Sequence, residues 1–389
     1  MTGFRLSGWN NDPPLNVELE KPLGFSFESL SRSEHLTELS DVILIYIAGQ
    51  DLLPILANFV LEYTFIGNIC SLEGPIGDAM VEYGVSRFKK PSKTPEAETD
   101  EPLAILALVK FFKHKSLTLE GYLATSLTTP HPAHQGIVFK AFGAYLLARA
   151  FSGPTPLSKI FEFVPGKKVY AAFQDEPAEL VTLEKDGDNF RTTPFNIEAN
   201  FRSSHLIGRS LSSIPETLEW LENPQGSAFC FPANAVGPDL IFFLRLTNDD
   251  TVLRVCVQFK HAETLSPQAW KEAIRTTDPY LFLSHDNDSS ASSSTLTMRD
   301  RLVEAIKNLG KGTEKAGPYG ILRVVISHPS LPDSKALEEA AEEDHPVATV
   351  PLSRLESDPD SDLGQTILSL AKLSLQTPDQ KIRERQRTD

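Results

Sequence analysis

The spacing of apolar and polar positions changes character partway along the chain. Residues 134–151, HQGIVFKAFGAYLLARAF, are apolar almost all round, which predicts a buried helix. Beyond it the apolar runs shorten. KKVYAAF, AELVTLE, SAFCFP, DLIFFLRL, TVLRVCVQFKHA, YGILRVVIS and PVATVPL are brief and read as strands. Three helices interrupt them. IPETLEWLEN has a proline near its start. SPQAWKEAIRTT offers Ser266 as N-cap and Pro267 at the first helical position. LTMRDRLVEAIKNLGKG is closed by Gly310 as a C-cap. HDNDSSASSST, between the last two, is a low-complexity loop.

The first part of the chain reads differently. Residues 1–40 mix Pro, Ser and charge and predict an arm with one short helix. Residues 41–88 predict helices. The polar, proline-containing stretch at 89–101 predicts a mobile linker. EPLAILALVKFFKHK opens with an acid and Pro102 and closes with Lys and His, an order that suits a helix dipole. The expected organisation is an arm (1–40), a helical region (41–130), a core (131–330) and an acidic extension (331–389). The extension carries an acidic helix at 334–344 and a helix over LGQTILSLAKLSL. The fold class is α+β with an α/β core: a mixed central sheet flanked by helices.

Composition narrows the function classes. The net charge of −15 excludes a uniformly basic, non-specific nucleic-acid coat but leaves room for a local basic groove. Cys70, Cys230 and Cys256 are odd in number and scattered. They give neither a disulfide framework nor zinc-ligand spacing, which points to a reducing intracellular compartment, cytoplasmic or nuclear. The start, MTGFRLSGWNNDPP, lacks the features of a secretory leader. The most apolar window, DVILIYIAGQDLLPILANFVLEY, carries Gln50, Asp51, Pro54 and Asn58. A buried helical hairpin is expected there, not a membrane span.

Candidate chemistry sits on two of the strands. In RVCVQFK, alternation sends Val255, Val257 and Phe259 to one face and Arg254, Cys256, Gln258 and Lys260 to the other. TNDD is a tight polar turn, so DLIFFLRL and the next strand are expected to form a hairpin that brings Asp239 beside Gln258 and Lys260. Asp239 would give a hard anionic oxygen, Gln258 a neutral one and the Phe259 backbone carbonyl a third. That set suits Mg2+ or Mn2+, with Lys260 orienting water or stabilising phosphate charge. The plain alternative is that Asp239 ends a turn and that Gln258 and Lys260 face solvent.

Pro238-Asp239, a strand, and then Gln258-Phe259-Lys260 followed by a helix and a strand resemble the PD-(D/E)xK nuclease superfamily. The wording FCFPANAVGPDLIFFLRL…VCVQFKHA looks more narrowly like the nuclease-like C-terminal module of fungal proteins related to Crinkler and retrotransposon-hot-spot families. The resemblance covers roughly residues 130–330. It implies a restriction-endonuclease-like fold and magnesium-dependent phosphodiester hydrolysis of DNA or RNA, with Asp239, Gln258 and Lys260 catalytic. There are two departures. Gln258 stands where the superfamily usually has Glu or Asp, which implies weak metal binding. Lys140 stands where the first helix often carries a Glu. It reads either as a snorkelling lysine at the edge of a buried helix or as a phosphate contact. Glu216, Glu219 and Glu222 are a substitute acid or the exposed face of a short helix.

Other motifs carry less. No phosphate loop is present, so ATP binding is not expected. His131 and His134 are a pair without a third ligand. Arg299 and Arg301 lie in a basic cluster with Lys307, Lys311 and Lys315, which reads as a solvated face or a phosphate-tracking edge. Two function classes follow: a metal-dependent nuclease, or a decayed nuclease-like module that binds nucleic acid or a protein partner.

Overall fold

The computed structural model describes most of residues 132–355 and short stretches between residues 70 and 99. The arm, the apolar window at 41–63, EPLAILALVKFFKHK, KKVYAAF, the low-complexity loop up to residue 292, Gly310 and the C-terminal helix lie outside the described residues, as does most of the acidic helix; residues 293–295, expected in that loop, are helical.

Near the N-terminal end of the described region, β1 (Cys70–Glu73), β2 (Arg87–Phe88) and β3 (Glu96–Thr99) form a three-stranded antiparallel sheet in the order β1-β3-β2. Strands at 70–73 and 87–88 correct the expectation of helices alone over 41–88, and 96–99 of the expected linker form a strand. In EAET only Ala97 is apolar. It is buried opposite Leu72 and Phe88. The strand is specified by the partners it pairs with, not by its own residues.

The chain then enters the helix α1 (Pro132–Ala150), followed by β4 (Thr155–Pro156), α2 (Leu157–Ile160) and β5 (Glu162–Phe163). Next come β6 (Pro177–Asp186), β7 (Asn189–Pro194), β8 (Gly208–Ser210), α3 (Ile214–Glu222) and β9 (Phe229–Phe231). The central hairpin β10 (Leu240–Leu246) and β11 (Val252–Ala262) precedes α4 (Pro267–Arg275), a 3₁₀ turn (Pro279–Leu281) and α5 (Ser293–Asn308). Strands β12 (Ile321–Pro329) and β13 (Val347–Thr349) complete the described elements.

Ten strands form one sheet in the order β4-β6-β10-β11-β12-β13-β5, with β7 on β6 and β8-β9 on β10. It is mixed: β10 and β11 are antiparallel, whereas β11, β12 and β13 run parallel. The class is therefore α+β. The sheet continues past residue 330, because β13 pairs with β12, and Val350 and Leu355 are buried in the same core as α1. Among the described residues, no helix is long and apolar enough to cross a membrane.

Alternation on the central strands builds two cores. Leu240, Phe242 and Leu244 of β10 join Val255, Val257 and Phe259 of β11 beneath α1, whose Val138, Phe139, Phe142 and Leu146 are fully buried. Ile241, Phe243 and Cys256 face the other way, against Leu218 and Trp220 of α3 and Leu302 and Ile306 of α5. Trp270 and Ile274 of α4 cover Val325 and Val347 on that second side. Gly143 marks how closely α1 approaches the sheet: a Cβ there would collide with the Phe259 ring.

Candidate functional site: a carboxylate held by three donors

The register places Leu240 opposite Val257, so Asp239 lies one step beyond, level with Gln258. Pro238 has no N–H to extend the ladder. The Asp239 side chain takes over: its Oδ2 accepts from the Phe259 backbone N–H at 2.9 Å, while the Asp239 N–H donates to the Val257 carbonyl at 2.9 Å. Gly237 makes this approach feasible. Its φ of +146° favours glycine, and a Cβ would stand 2.7 Å from the Thr276 carbonyl oxygen at the end of α4.

Two side chains complete the group. The Gln258 amide nitrogen donates to Asp239 Oδ2, and Gln258 Oε1 accepts from the Thr276 hydroxyl at 2.9 Å. Lys140, reaching from α1, places its Nζ 2.6 Å from Asp239 Oδ1. Asp239 and Lys140 keep 14% and 29% of their side chains exposed, so the pair sits at the rim of the sheet and not deep within it. Lys260 follows Gln258 on the same strand face, about 7 Å further along. It is half-buried and has no ion-pair or hydrogen-bond partner among the described residues.

The structure thus brings Asp239, Gln258 and Lys260 to one strand end and adds Lys140. It differs from the expected metal centre in two respects. The amide group turned to Asp239 is the NH2, a donor, where a ligand would present oxygen. The carboxylate already receives an ammonium, an amide NH2 and a main-chain N–H. As arranged, these residues do not fit a divalent cation, because a metal ion needs oxygen lone pairs that here point at protons. Among the described residues, no three His, Cys, Asp or Glu side chains cluster as a metal-binding group. The Phe259 carbonyl, which a strand residue presents on the same side as its N–H, is directed to the same edge.

The remaining candidates lie elsewhere. Glu216 accepts from the Ser212 N–H at 2.8 Å and from its hydroxyl, so it serves the start of α3; these bonds lower its carboxyl pKa. Glu219 is exposed, and Glu222 pairs with Arg301 at 3.1 Å. Arg299 donates to the Tyr280 carbonyl. None of these contacts reaches Asp239 or Lys260.

Sequence reasoning missed Thr276. Its only signal was a pair of threonines ending SPQAWKEAIRTT. It also missed two neighbouring histidines. His261 and His328 lie on the α1 side, their rings 5.8 Å apart and both against Phe139. Strand alternation alone could have paired them, since β11 and β12 place these residues side by side.

On the opposite face, two buried arginines are bonded to helix ends. Arg254 is buried, and its guanidinium donates to the Lys307 carbonyl at 3.1 Å and to the Leu309 carbonyl, closing α5. Burial lowers its pKa to about 10. Arg323, fully buried, donates to the Ile274 carbonyl at 2.7 Å and lies 3.6 Å from Asp278, closing α4 in the same way. Between them, burial first and Asp278 second push the Cys256 thiol up to about 12.

No family model, no curated protein and no solved structure matches this chain.

Proposed function

We propose that this domain is a nuclease-like module on a restriction-endonuclease-like frame that binds the phosphate backbone of a nucleic acid without cleaving it. The observation that carries this reading is the Lys140–Asp239 ion pair. It neutralises the carboxylate on which a metal would depend. Asp239 contributes one negative charge, and Lys140 and Lys260 contribute two positive ones. The group therefore carries a net positive charge of one and attracts an anion more readily than a cation. Lys260 is the phosphate contact, because its ammonium is uncommitted among the described residues. Such contacts give affinity that falls with salt and carries little sequence information.

A second reading, a magnesium-dependent nuclease, is favoured by one observation. The Thr276 hydroxyl lies 2.9 Å from both Gln258 Oε1 and the Ala273 carbonyl, yet has one proton to donate. It could equally accept from the Gln258 NH2 while donating to Ala273. The amide would then turn its oxygen to Asp239.

Fluorescence anisotropy with labelled single- and double-stranded DNA and RNA, run in magnesium, manganese or EDTA beside a cleavage gel, separates the two. Expected are binding that persists in EDTA, weakening in Lys260→Ala and no cleavage. Magnesium-dependent cleavage that disappears in Lys260→Ala would establish the second reading in place of the first.

A further inference from the structure

Tyr280 stands in the 3₁₀ turn between α4 and α5 with 41% of its surface exposed. A lone surface aromatic needs no explanation in itself. This one sits on a turn that is tied down at every step. The Tyr280 N–H donates to Asp278 Oδ1 at 2.9 Å, and its carbonyl accepts from Arg299. Before the turn, the Thr276 hydroxyl lies 2.9 Å from Gln258 Oε1. After it, the Leu283 N–H donates to the Val236 carbonyl at 3.1 Å. The Phe282 ring is so near that it would stand 3.0 Å from a Cβ at Gly237. Both ends of the turn are thus fastened to the strand ends that carry Asp239 and Gln258.

Two further observations bear on the ring. Leu283 has φ 62°, the only positive φ outside glycine among the described residues. A bulky side chain rarely takes that conformation, and it persists only where the surroundings over-determine it. Leu283 is buried, and its bond to Val236 fixes it there. The second observation is charge. Lys307 of α5 is exposed and holds its Nζ 5.0 Å from the Tyr280 ring centroid. Arg301 is paired with Glu222, and the exposed Asp300 and Glu304 offset much of the remaining positive charge on α5. Charge alone does not make this face a phosphate track. An aromatic ring with one lysine beside it is a different device.

We infer that Tyr280 is a stacking platform for an unpaired nucleobase, so that the nucleic acid this domain takes is single-stranded. The inference rests on the proposed phosphate contact at Lys260. Tyr280 follows Thr276 by four residues, at most about 14 Å of chain. Thr276 touches Gln258, which shares a strand face with Lys260. One short strand therefore reaches both the ring and Lys260. Lys307 does not bar the ring. An exposed cation–π contact is worth about two- to fivefold in an equilibrium. A base stacked on an aromatic side chain is worth about five- to a hundredfold. The base displaces the ammonium, and the long, exposed Lys307 side chain turns to the neighbouring phosphate. A duplex makes no use of the platform, because its bases are already paired and stacked.

The test is fluorescence anisotropy on the full chain, with short labelled single strands of DNA and RNA and a duplex of the same sequence. Tyr280→Ala should weaken single-strand binding about tenfold, while duplex binding and the dependence of affinity on salt stay as they were. Tyr280→Phe keeps the ring and should bind as the wild type does. Lys260→Ala should weaken single strand and duplex alike and reduce the salt slope by about one. Single-strand affinity undiminished in Tyr280→Ala, with Lys260→Ala still weakened, overturns the platform and leaves the phosphate reading standing. An equal loss on single strand and duplex in Tyr280→Ala, or a loss that Tyr280→Phe shares, overturns it as well. If no oligonucleotide binds the wild type, the phosphate reading falls and takes the platform with it.

Discussion

One face of β11 carries Arg254, Cys256, Gln258 and Lys260 at alternate positions, yet its two ends treat charge in opposite ways. At the first end, Arg254 is 6% exposed, and its neighbour Arg323 on β12 is wholly enclosed; both are spent on helix carbonyls. At the second end, Lys260 stays half-buried, and the Lys140–Asp239 ion pair is partly exposed. The difference follows from the cost of desolvation. A buried guanidinium is tolerated when several carbonyls surround it, because an isolated buried charge costs several kcal/mol. At the rim, water already solvates the ammonium, so no internal partner is required. A charged residue on a strand face is therefore structural where a helix ends against it and available where none does.

The most direct way to break this comparison is to remove one charge at each end. Arg323→Ala should lower the unfolding free energy by about 3–5 kcal/mol, since it strands Asp278 and uncaps α4. Lys260→Ala should change it by less than about 0.5 kcal/mol. Urea denaturation of both variants measures the contrast, and equal losses would abolish it.

Gly237 sharpens the picture of how the rim is built. Gly237→Ala meets an unfavourable φ and the Thr276 carbonyl together, so a loss of about 1–3 kcal/mol is expected. Because the strained residue lies two positions before Asp239, oligonucleotide binding should fall in parallel. A variant of wild-type stability would show that the turn does not need its close approach.

Gln258→Glu probes the charge balance of the rim itself. It sets a second carboxylate beside Asp239, with Lys140 already in place. Two carboxylates so close compete for one ammonium, and the pair should retain a proton to higher pH than a lone carboxylate. Stability at pH 7 should drop by about 1 kcal/mol and recover as the pH falls toward 5. Calorimetric titration with magnesium should give no heat with the wild type. Heat there would mean that the ion displaces Lys140, and the rim would have to be reassigned to the metal-binding reading.

Much of this layout was legible before any coordinates. The β10–β11 hairpin, the helices flanking the sheet, the cap at Ser266 and the shared face of Gln258 and Lys260 all follow from local periodicity and end signals, which depend on near neighbours. What resisted reading depends on distant ones. β3 is a strand because β1 and β2 flank it, and β13 joins the sheet because β12 offers an edge. The fate of Lys140 turned on where α1 crosses the end of β10. The second partner of the Gln258 amide, Thr276, is eighteen residues away. A strand pattern states which face a side chain takes; it does not state what the other layer brings to meet it.

The smallest expected effect lies on the α1 side of the same strand end, where His261 sits against Phe139 and His328. Burial lowers the His261 pKa below its ordinary value of 6.5. The unfolded chain therefore takes up a proton before the folded one as the pH drops below about 6.5. In that window the unfolded state holds more protons, so stability rises with pH; it is complete above about 6.5 and declines as the solution is acidified toward the folded pKa. Thermal denaturation from pH 7.5 to 5.5 should show the decline, and His261→Gln should reduce its slope while leaving Lys260-dependent oligonucleotide binding intact at pH 7.5. An identical slope in the variant would place the acid sensitivity on another group. A simultaneous loss of binding would show that the two faces of β11 are coupled through Phe259, whose backbone N–H holds Asp239 on one side and whose ring packs against Phe139 on the other.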